Sequence, residues 1–273
     1  MTYAPALPLG GYAGWAFLKR TMPTQTAAFN SSPDLKQDEG YFRAKIGQVT
    51  NAEQLVGDRR LLKVALGAFG LDNDINNKFF IRKVLEDGTL NTGALANRLA
   101  DKQYQKLSAA FGFGDFAVPS TKLSDFPEKI LTAYRARQFE IAVGEQNSDL
   151  RLALNVQREL HGIAAKTSSS ENSKWFTVMG NAPMRKVFEK ALGLPTSLGV
   201  LDLDKQLETF KAKAKSQLGS DAMAQFTDPT KVEGLVRRFL LRSETEGFAQ
   251  SGSNNAALQL MQSAAASTRY RFR

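Results

Sequence analysis

Residues 61–71 read LLKVALGAFGL, and this stretch decides the fold class. Its apolar residues Leu62, Leu66 and Phe69 recur at spacings of four and three, which is the period of one helix face. Glycine reaches the left-handed conformation at low cost, so Gly70 stands where a helix C-cap is expected. The stretch therefore predicts an amphipathic helix that ends at Gly70.

The same pattern recurs 123 residues further along the chain, where residues 184–194 read MRKVFEKALGL. A second pair of segments, residues 101–111 and 228–239, matches at an offset of 127 or 128. Two ordered matches at nearly one offset indicate duplication of a helical unit. The alternative is that two amphipathic helices ending in Gly-Leu look alike in any helical protein.

Duplication predicts that residues 55–111 and 178–239 superpose helix on helix, with Gly70 and Gly193 at equivalent helix ends. Alternating runs of β-branched residues, which mark strands, are missing. The sequence thus predicts a mainly α fold of helical modules, two of them related copies joined by a long connecting helix. The residues expected to be buried are Leu62, Leu66, Phe69, Phe80, Leu107, Val187, Leu192, Phe210, Leu235 and Phe239.

Composition along the chain predicts five regions. They are an extended N-terminal arm (1–35), a first helical module (36–120), the long connecting helix (121–166), a second helical module (167–248) and a basic C-terminal tail (249–273). The arm is rich in Pro, Gly, Thr, Ser and Asn, and the segment Gly112–Thr121 concentrates helix breakers, so it is the best linker candidate. Gly144 marks a bend in the connecting helix.

Helix starts are predicted at two places by their capping residues. Thr50 is an N-cap candidate with Glu53 at the capping-box position. Ser124 is a second N-cap candidate, with Pro127 inside the first turn of the connecting helix.

The 273 residues include no Cys and a single His, His161. The lack of Cys excludes disulfide scaffolds, thiol nucleophiles, zinc fingers and iron–sulfur clusters. One His weakens every design that needs an imidazole base, and His161 is assigned a structural or solvent role near a helix end. No catalytic, cofactor-binding or metal-binding residues are predicted.

Two motif matches fail on inspection. Asp72–Asn76 places oxygen ligands as a calcium loop does, but Asn77 and Lys83 stand where that loop needs Gly and Glu. Asp72 and Asp74 are therefore interpreted as caps of the following helix. Residues 112–117 have the spacing of a dinucleotide fingerprint but follow a helical pattern, with no βαβ unit around them.

The net charge of +9 is unevenly placed, with 15 basic and 9 acidic residues between Lys174 and Arg273. Arg269, Tyr270 and Arg271 interleave Arg with an aromatic ring, as nucleic-acid or other polyanion contacts would. The alternative is a basic terminus with no partner.

No stretch has the ~20 apolar residues of a membrane span. No cleavable secretory signal is expected, because no basic residue precedes Ala4–Leu9 and Pro and Gly interrupt that stretch.

Trp15, Phe17 and Leu18 are apolar residues within the polar arm. They need a surface to cover them. That surface is either the body of the protein itself or a partner subunit for which Trp15 would be the anchor.

Several segments carry a family resemblance: GWAFLKRT at 14–21, YF at 41–42, DRRLL at 58–62, AFGL at 68–71 and NRLAD at 97–101. In these the chain resembles a family of bacterial domains of unknown function, found mainly in alphaproteobacteria and often encoded near flagellar genes. The resemblance implies a role in motility, structural or in assembly, and it carries over no catalytic residues. The localisation stays open between the cytoplasm, since no cleavable signal is expected, and association with the flagellum. Flagellar axial proteins have long heptad helices at both termini, which this chain lacks, so an accessory component is favoured.

The resulting hypothesis is a non-enzymatic structural or assembly protein of the flagellar system that acts through protein–protein contacts. One alternative is nucleic-acid or other polyanion binding through the basic C-terminal half. The other is an enzyme of unrecognised class, which would need a deep polar pocket with perturbed carboxylates.

Overall fold

The computed structural model describes residues 3–246, apart from the side chain of Thr196, and this part of the chain contains helices and no strand. The helices are α1 Gly11–Asn30, α2 Pro33–Lys45, α3 Ala52–Gly57, α4 Arg59–Phe69, α5 Lys78–Asp87, α6 Leu95–Arg98, α7 Gln103–Phe111, α8 Phe126–Gln146, α9 Ser148–Ala164, α10 Glu171–Gly180, α11 Ala182–Leu192, α12 Leu203–Leu218 and α13, residues 229–246. The predicted mainly α fold is confirmed.

Helix α4 lies at the centre of the first half and packs along α8. Asp58 begins it, since its carboxylate accepts hydrogen bonds from the backbone N–H groups of Arg60 and Leu61 at 2.9 and 3.1 Å. Gly70 ends it in the left-handed conformation, with φ +74°. The N–H of Leu71 then returns to the carbonyl of Leu66 at 3.0 Å, which satisfies a free helix-end acceptor. The end predicted at Gly70 is confirmed.

The predicted long connecting helix is two helices, α8 and α9, that pack against each other as a hairpin. The break is at Asn147, whose side chain accepts hydrogen bonds from the N–H groups of Asp149 and Leu150 and so begins α9. A strong N-cap of this kind favours a new helix over a continuous one. Gly144, the residue predicted to mark a bend, lies in α8 three residues before this break. A Cβ there would overlap Arg151 of α9, so this glycine lets the two helices approach.

The prediction of an extended arm over residues 1–35 is wrong, because α1 and the start of α2 occupy most of it. The hydroxyls of Thr21 and Thr26 donate to the carbonyls of Phe17 and Met22, at 2.9 and 2.7 Å, so these polar residues are accommodated within the helix. Helix α1 contributes Trp15 to the core. That burial offsets the cost of the interior Pro23.

The core is continuous from α1 to α13. The linker candidate Gly112–Thr121 is folded onto the body, because Thr121 is buried and its hydroxyl donates to the carbonyl of Val49 at 2.6 Å. Asp115, in the same segment, accepts backbone hydrogen bonds from Thr89 and Leu90. The boundary predicted near residue 120 therefore does not separate free-standing modules.

The predicted helix starts were each displaced by one residue. The cap of α3 is Asn51, which accepts from the N–H of Gln54 at 2.9 Å, and the capping position of α8 is Asp125.

Among the residues expected to be buried, Phe69 and Phe80 are half-buried and pack against the edge of the core. The other eight are buried.

The two segments proposed as copies share several features. Gly193 ends α11 in the left-handed conformation, as Gly70 ends α4, and each glycine is followed by a short 3₁₀ turn and a further helix. However, the arginine packed against Gly70 is Arg137 of α8, and the arginine packed against Gly193 is Arg242 of α13. The sequence match had paired α13 with α7. The shared order does not by itself establish duplication, so the two-copy repeat stays a prediction.

Candidate functional site

A cleft of about 690 Å³ opens between α7, the C-terminal end of α9 and α10. Its lining combines the residues that lead into α7, one face of α10 and the loop that follows α9. Its volume lies within the range typical of ligand sites. The lining residues are Ala100–Gln103, Gln105, Lys106, Arg158, Glu159, Gly162, Ile163, Lys166, Ser169, Ser173, Lys174, Phe176, Thr177, Gly180 and Asn181.

The floor of the cleft is an ion-pair network around Glu159. Its carboxylate accepts from Lys106 at 2.7 Å and from Arg137 at 2.9 Å, and it also pairs with Arg158. Arg158 makes a second, two-pronged contact with Glu140 at 2.6 and 3.0 Å. Burial alone would raise the pKa of Glu159, but the neighbouring cations outweigh it and lower that pKa. Glu159 is therefore an ionised, fully engaged carboxylate.

One wall is the exposed face of α10. Ser173, Phe176, Thr177 and Gly180 stand three, four and seven positions apart, so they share one side of the helix. The opposite side of α10 buries Trp175 in the core. The wall thus presents two hydroxyls and one half-buried aromatic ring to the cleft.

Lys174 fixes the position of this wall. Its side chain is only 8% exposed, and its ammonium group donates to the carbonyl of Ala164 at 3.0 Å and to Glu171 at 3.1 Å. The first contact ties the C-terminal end of α9 to α10, so it connects the floor of the cleft to this wall.

The rim carries two exposed lysines. Lys102 donates to the carbonyls of Asn97 and Leu99, each at 2.9 Å. Lys166 forms no ion pair with any residue in the 3–246 range. The lining as a whole holds five cations, Lys102, Lys106, Arg158, Lys166 and Lys174, against two carboxylates, Asp101 and Glu159. Its net charge of +3 favours an anionic ligand.

Two glycines leave the cleft open. A Cβ on Gly162 would have no neighbour within 4 Å, so that floor position faces empty space. A Cβ on Gly180 would lie 3.8 Å from the carbonyl oxygen of Ala100, where α10 comes closest to the entry of α7.

Residues 68–232 match the model of a family described as protein of unknown function, DUF1217. The chain belongs to the DUF1217 family. This confirms the resemblance to a family of unknown function. The flagellar gene context stays an expectation. A search of the curated proteins finds no match to the DUF1217 chain.

One solved structure is similar to the DUF1217 chain over most of its length. It is the X-ray crystal structure of protein AGR_C_984 from Agrobacterium tumefaciens. The TM-score is 0.71 at 24% identity, and the match covers 89% of the DUF1217 chain and 99% of the other. At this identity the likeness shows a shared fold.

The candidate partner-binding residues of α1 line no part of the cleft. Trp15 and Leu18 are fully buried, and Phe17 is half-buried. The indole N–H of Trp15 donates to both carboxylate oxygens of Glu233, at 3.1 and 3.2 Å. The body of the DUF1217 chain is therefore the surface that covers Trp15 and Leu18. The other candidates, Arg269, Tyr270 and Arg271, lie outside the described residues.

The failed calcium motif has a structural role. Asp72 accepts from the side-chain amide of Gln138 at 2.8 Å, and Asp74 accepts from the hydroxyl of Tyr104 at 2.6 Å. Neither carboxylate caps α5, so that interpretation was wrong. Across the described residues, no group of three His, Asp or Glu side chains is placed to hold a metal ion. Over the same range, every helix is too short or too polar to traverse a lipid bilayer.

Sequence reasoning missed the cleft because its residues come from the ends of three separate segments. The one local signal is the Ser-rich stretch that runs from Lys166 to Lys174. In the fold this run lies beside the cations of α7 and α9.

Proposed function

We propose that this DUF1217 protein is a non-enzymatic accessory or assembly component of the bacterial flagellar system, and that it binds a protein partner in the cleft between α7, α9 and α10. The observation that carries the proposal is the pairing of an open, positively lined cleft with a floor whose carboxylate is already engaged by three cations. The cations of such a site can contact a bound protein segment, and the ion pairs around Glu159 connect the helices that form the cleft.

The state of the cleft carboxylates supports binding over acid–base catalysis. A general base works best when its pKa lies near the working pH, whereas the pKa of Glu159 is displaced downward. Asp101 accepts a hydrogen bond from the N–H of Gln103 at 2.9 Å, which holds its side chain at the entry of α7.

The flagellar part of the proposal comes from the resemblance in residues 14–21, 58–62 and 97–101, since genes of that family often lie near flagellar genes.

The proposal is tested by swimming in the bacterium that encodes the chain. We expect deletion of the gene to reduce the swimming halo in soft agar, and the wild-type gene to restore it. Gly162→Trp fills the cleft without meeting any neighbour within 4 Å of the new Cβ, so we expect it to fail to restore swimming at normal protein level.

The matched control is Gly40→Trp, because Gly40 is also an exposed glycine inside a helix with no neighbour within 4 Å. This variant should restore swimming. Normal swimming in the deletion strain would refute the flagellar role, and full rescue by Gly162→Trp would refute the cleft as the working surface.

A further inference from the structure

The chemistry of the cleft points to one class of ligand. We infer that it binds an acidic, amphipathic peptide segment of the partner, with carboxylate side chains toward Lys102 and Lys166 and an apolar side chain against Phe176 and Ile163. This inference rests on the proposed function for the existence of a protein partner, and it adds what that partner must present.

The shape of the cleft suits a short peptide. The exposed stripe of α10 runs from Ser173 to Gly180, which is about 10 Å along the helix axis. The absence of side chains at Gly162 and Gly180 keeps the space beside this stripe clear. Recognition of an acidic motif by basic side chains, and of apolar side chains by a groove, are both recurring modes of peptide binding.

The charge of the cleft selects for carboxylates. Lys106, Arg158 and Lys174 are each paired with a carboxylate of the chain, at distances between 2.6 and 3.1 Å. Lys102 makes its contacts to backbone carbonyls only, and Lys166 has no ion-pair partner in the described part of the chain. Two rim cations thus lack a counter-charge, and an acidic ligand would supply it.

The exposed carboxylate of the lining, Asp101, favours a peptide over a phosphate chain. Asp101 would repel the evenly spaced charges of a nucleic-acid backbone, whereas a peptide can place its carboxylates away from it. Base stacking needs a series of aromatic platforms, and Phe176 is the single aromatic ring in the lining.

The experiment is a selection from a phage-displayed library of random peptides of about 12 residues. The library is panned on the full-length chain, after depletion on the Gly162→Trp variant. Selected peptides are then synthesised with a fluorophore, and their affinities are measured by fluorescence anisotropy. We expect the selected sequences to be enriched in Asp and Glu interspersed with apolar residues, and we expect binding to weaken as salt is raised.

Four variants report on the site. Gly162→Trp should abolish binding of the selected peptides, and Gly40→Trp should leave it unchanged. Lys166→Glu should weaken binding roughly tenfold or more. Lys36→Glu, at an exposed lysine of α2 that has no ion pair among the described residues, should change it by less than about twofold. Circular dichroism and thermal melting establish that each variant is folded.

Peptides without an excess of acidic residues would overturn the inference, and so would equal binding to the Lys166→Glu variant. Tighter binding of oligo(dT) or inorganic pyrophosphate in competition would overturn it too, by assigning the cleft to phosphate. None of these results would bear on a swimming defect of the deletion strain, so the flagellar role would be unaffected. Conversely, normal swimming without the gene would refute the flagellar role while the peptide affinities remained.

Discussion

Glu233 of α13 joins the two ends of the described chain. Its carboxylate accepts from the indole N–H of Trp15 at 3.1 Å, from the ammonium group of Lys19 at 2.9 Å and, more weakly, from the hydroxyl of Tyr12 at 3.4 Å. Three donors of α1 therefore converge on one acceptor. These hydrogen bonds tie the first helix to the last described one.

We expect Glu233→Gln to lower the free energy of unfolding by about 1–3 kcal/mol, because hydrogen bonds to a charged acceptor are stronger than those to an amide. Urea unfolding measures the change. Glu208→Gln is the control, since Glu208 is exposed on α12 and its side chain makes no hydrogen bond or ion pair with the described residues. Equal stability of the two variants would contradict the account of Glu233.

Gly70 and Gly193 allow a second test, which concerns the left-handed conformation at the ends of α4 and α11. Both have positive φ, and a Cβ at either position would overlap an arginine guanidinium group. We expect Gly70→Ala and Gly193→Ala to cost roughly 1–2 kcal/mol each. Gly40→Ala, in an open helical position, should instead stabilise by about 0.5–1 kcal/mol. Melting curves of the three variants check the signs, and a gain in stability from either αL substitution would contradict the assigned conformation.

At the scale of elements, deletion of α1 distinguishes the two explanations for its apolar residues. They are covered either by the body of the protein or by a partner subunit. A chain lacking residues 1–22 loses Trp15 and Leu18 from the core, and each is worth about 2–5 kcal/mol by the cost of truncation. That loss is comparable to the whole stability of a typical domain. We expect the shortened chain to melt far below the full chain or to be insoluble. An unchanged melting temperature would restore the partner-anchor explanation.

The segment after α7 is held by Asp115, which accepts from the N–H and hydroxyl of Thr89 at 2.6 and 2.8 Å and from the N–H of Leu90 at 2.9 Å. Burial alone would raise the pKa of Asp115. These hydrogen bonds outweigh burial and hold that pKa below its ordinary value of 3.8.

A carboxylate whose pKa is lower in the folded state stabilises the protein above the unfolded-state pKa, and this contribution is lost as the pH falls through the folded-state pKa. We therefore expect the wild type to exceed Asp115→Asn in stability at neutral pH. The difference should shrink as the pH is lowered to about 2.5. Urea unfolding across that range measures it. A difference that is constant with pH would contradict the role of the charge.

At the scale of the whole molecule, one continuous core supports a cleft built from both halves of the chain. Helix α7 belongs to the first half and α10 to the second, and α9 forms the floor between them. The Lys106–Glu159 pair at 2.7 Å and the Lys174 contact with Ala164 at 3.0 Å connect these three elements. The cleft geometry therefore depends on the assembled fold.

Local patterns predicted local structure well. The left-handed glycine ends of α4 and α11 followed from periodicity and a Gly-Leu pair, because these features act over a few neighbouring residues. The helix at residues 11–30 could not be predicted, because the contacts that stabilise it are with residues distant in sequence. They include the core that buries Trp15 and the hydrogen bond from Trp15 to Glu233. The cleft could not be predicted from the sequence for the same reason, because Lys106 and Glu159 come together only in the folded chain.

The most direct test of the central claim, that a protein partner binds in the cleft, is photo-crosslinking in living cells. The chain is produced at its native level in its own bacterium, with a photoreactive amino acid in place of Lys166 at the rim. Position 40 on α2 carries the same group as the control. We predict one discrete adduct with a flagellar protein from position 166 and none from position 40. The same adducts from both positions, or no adduct from position 166 in cells that swim normally, would contradict the account.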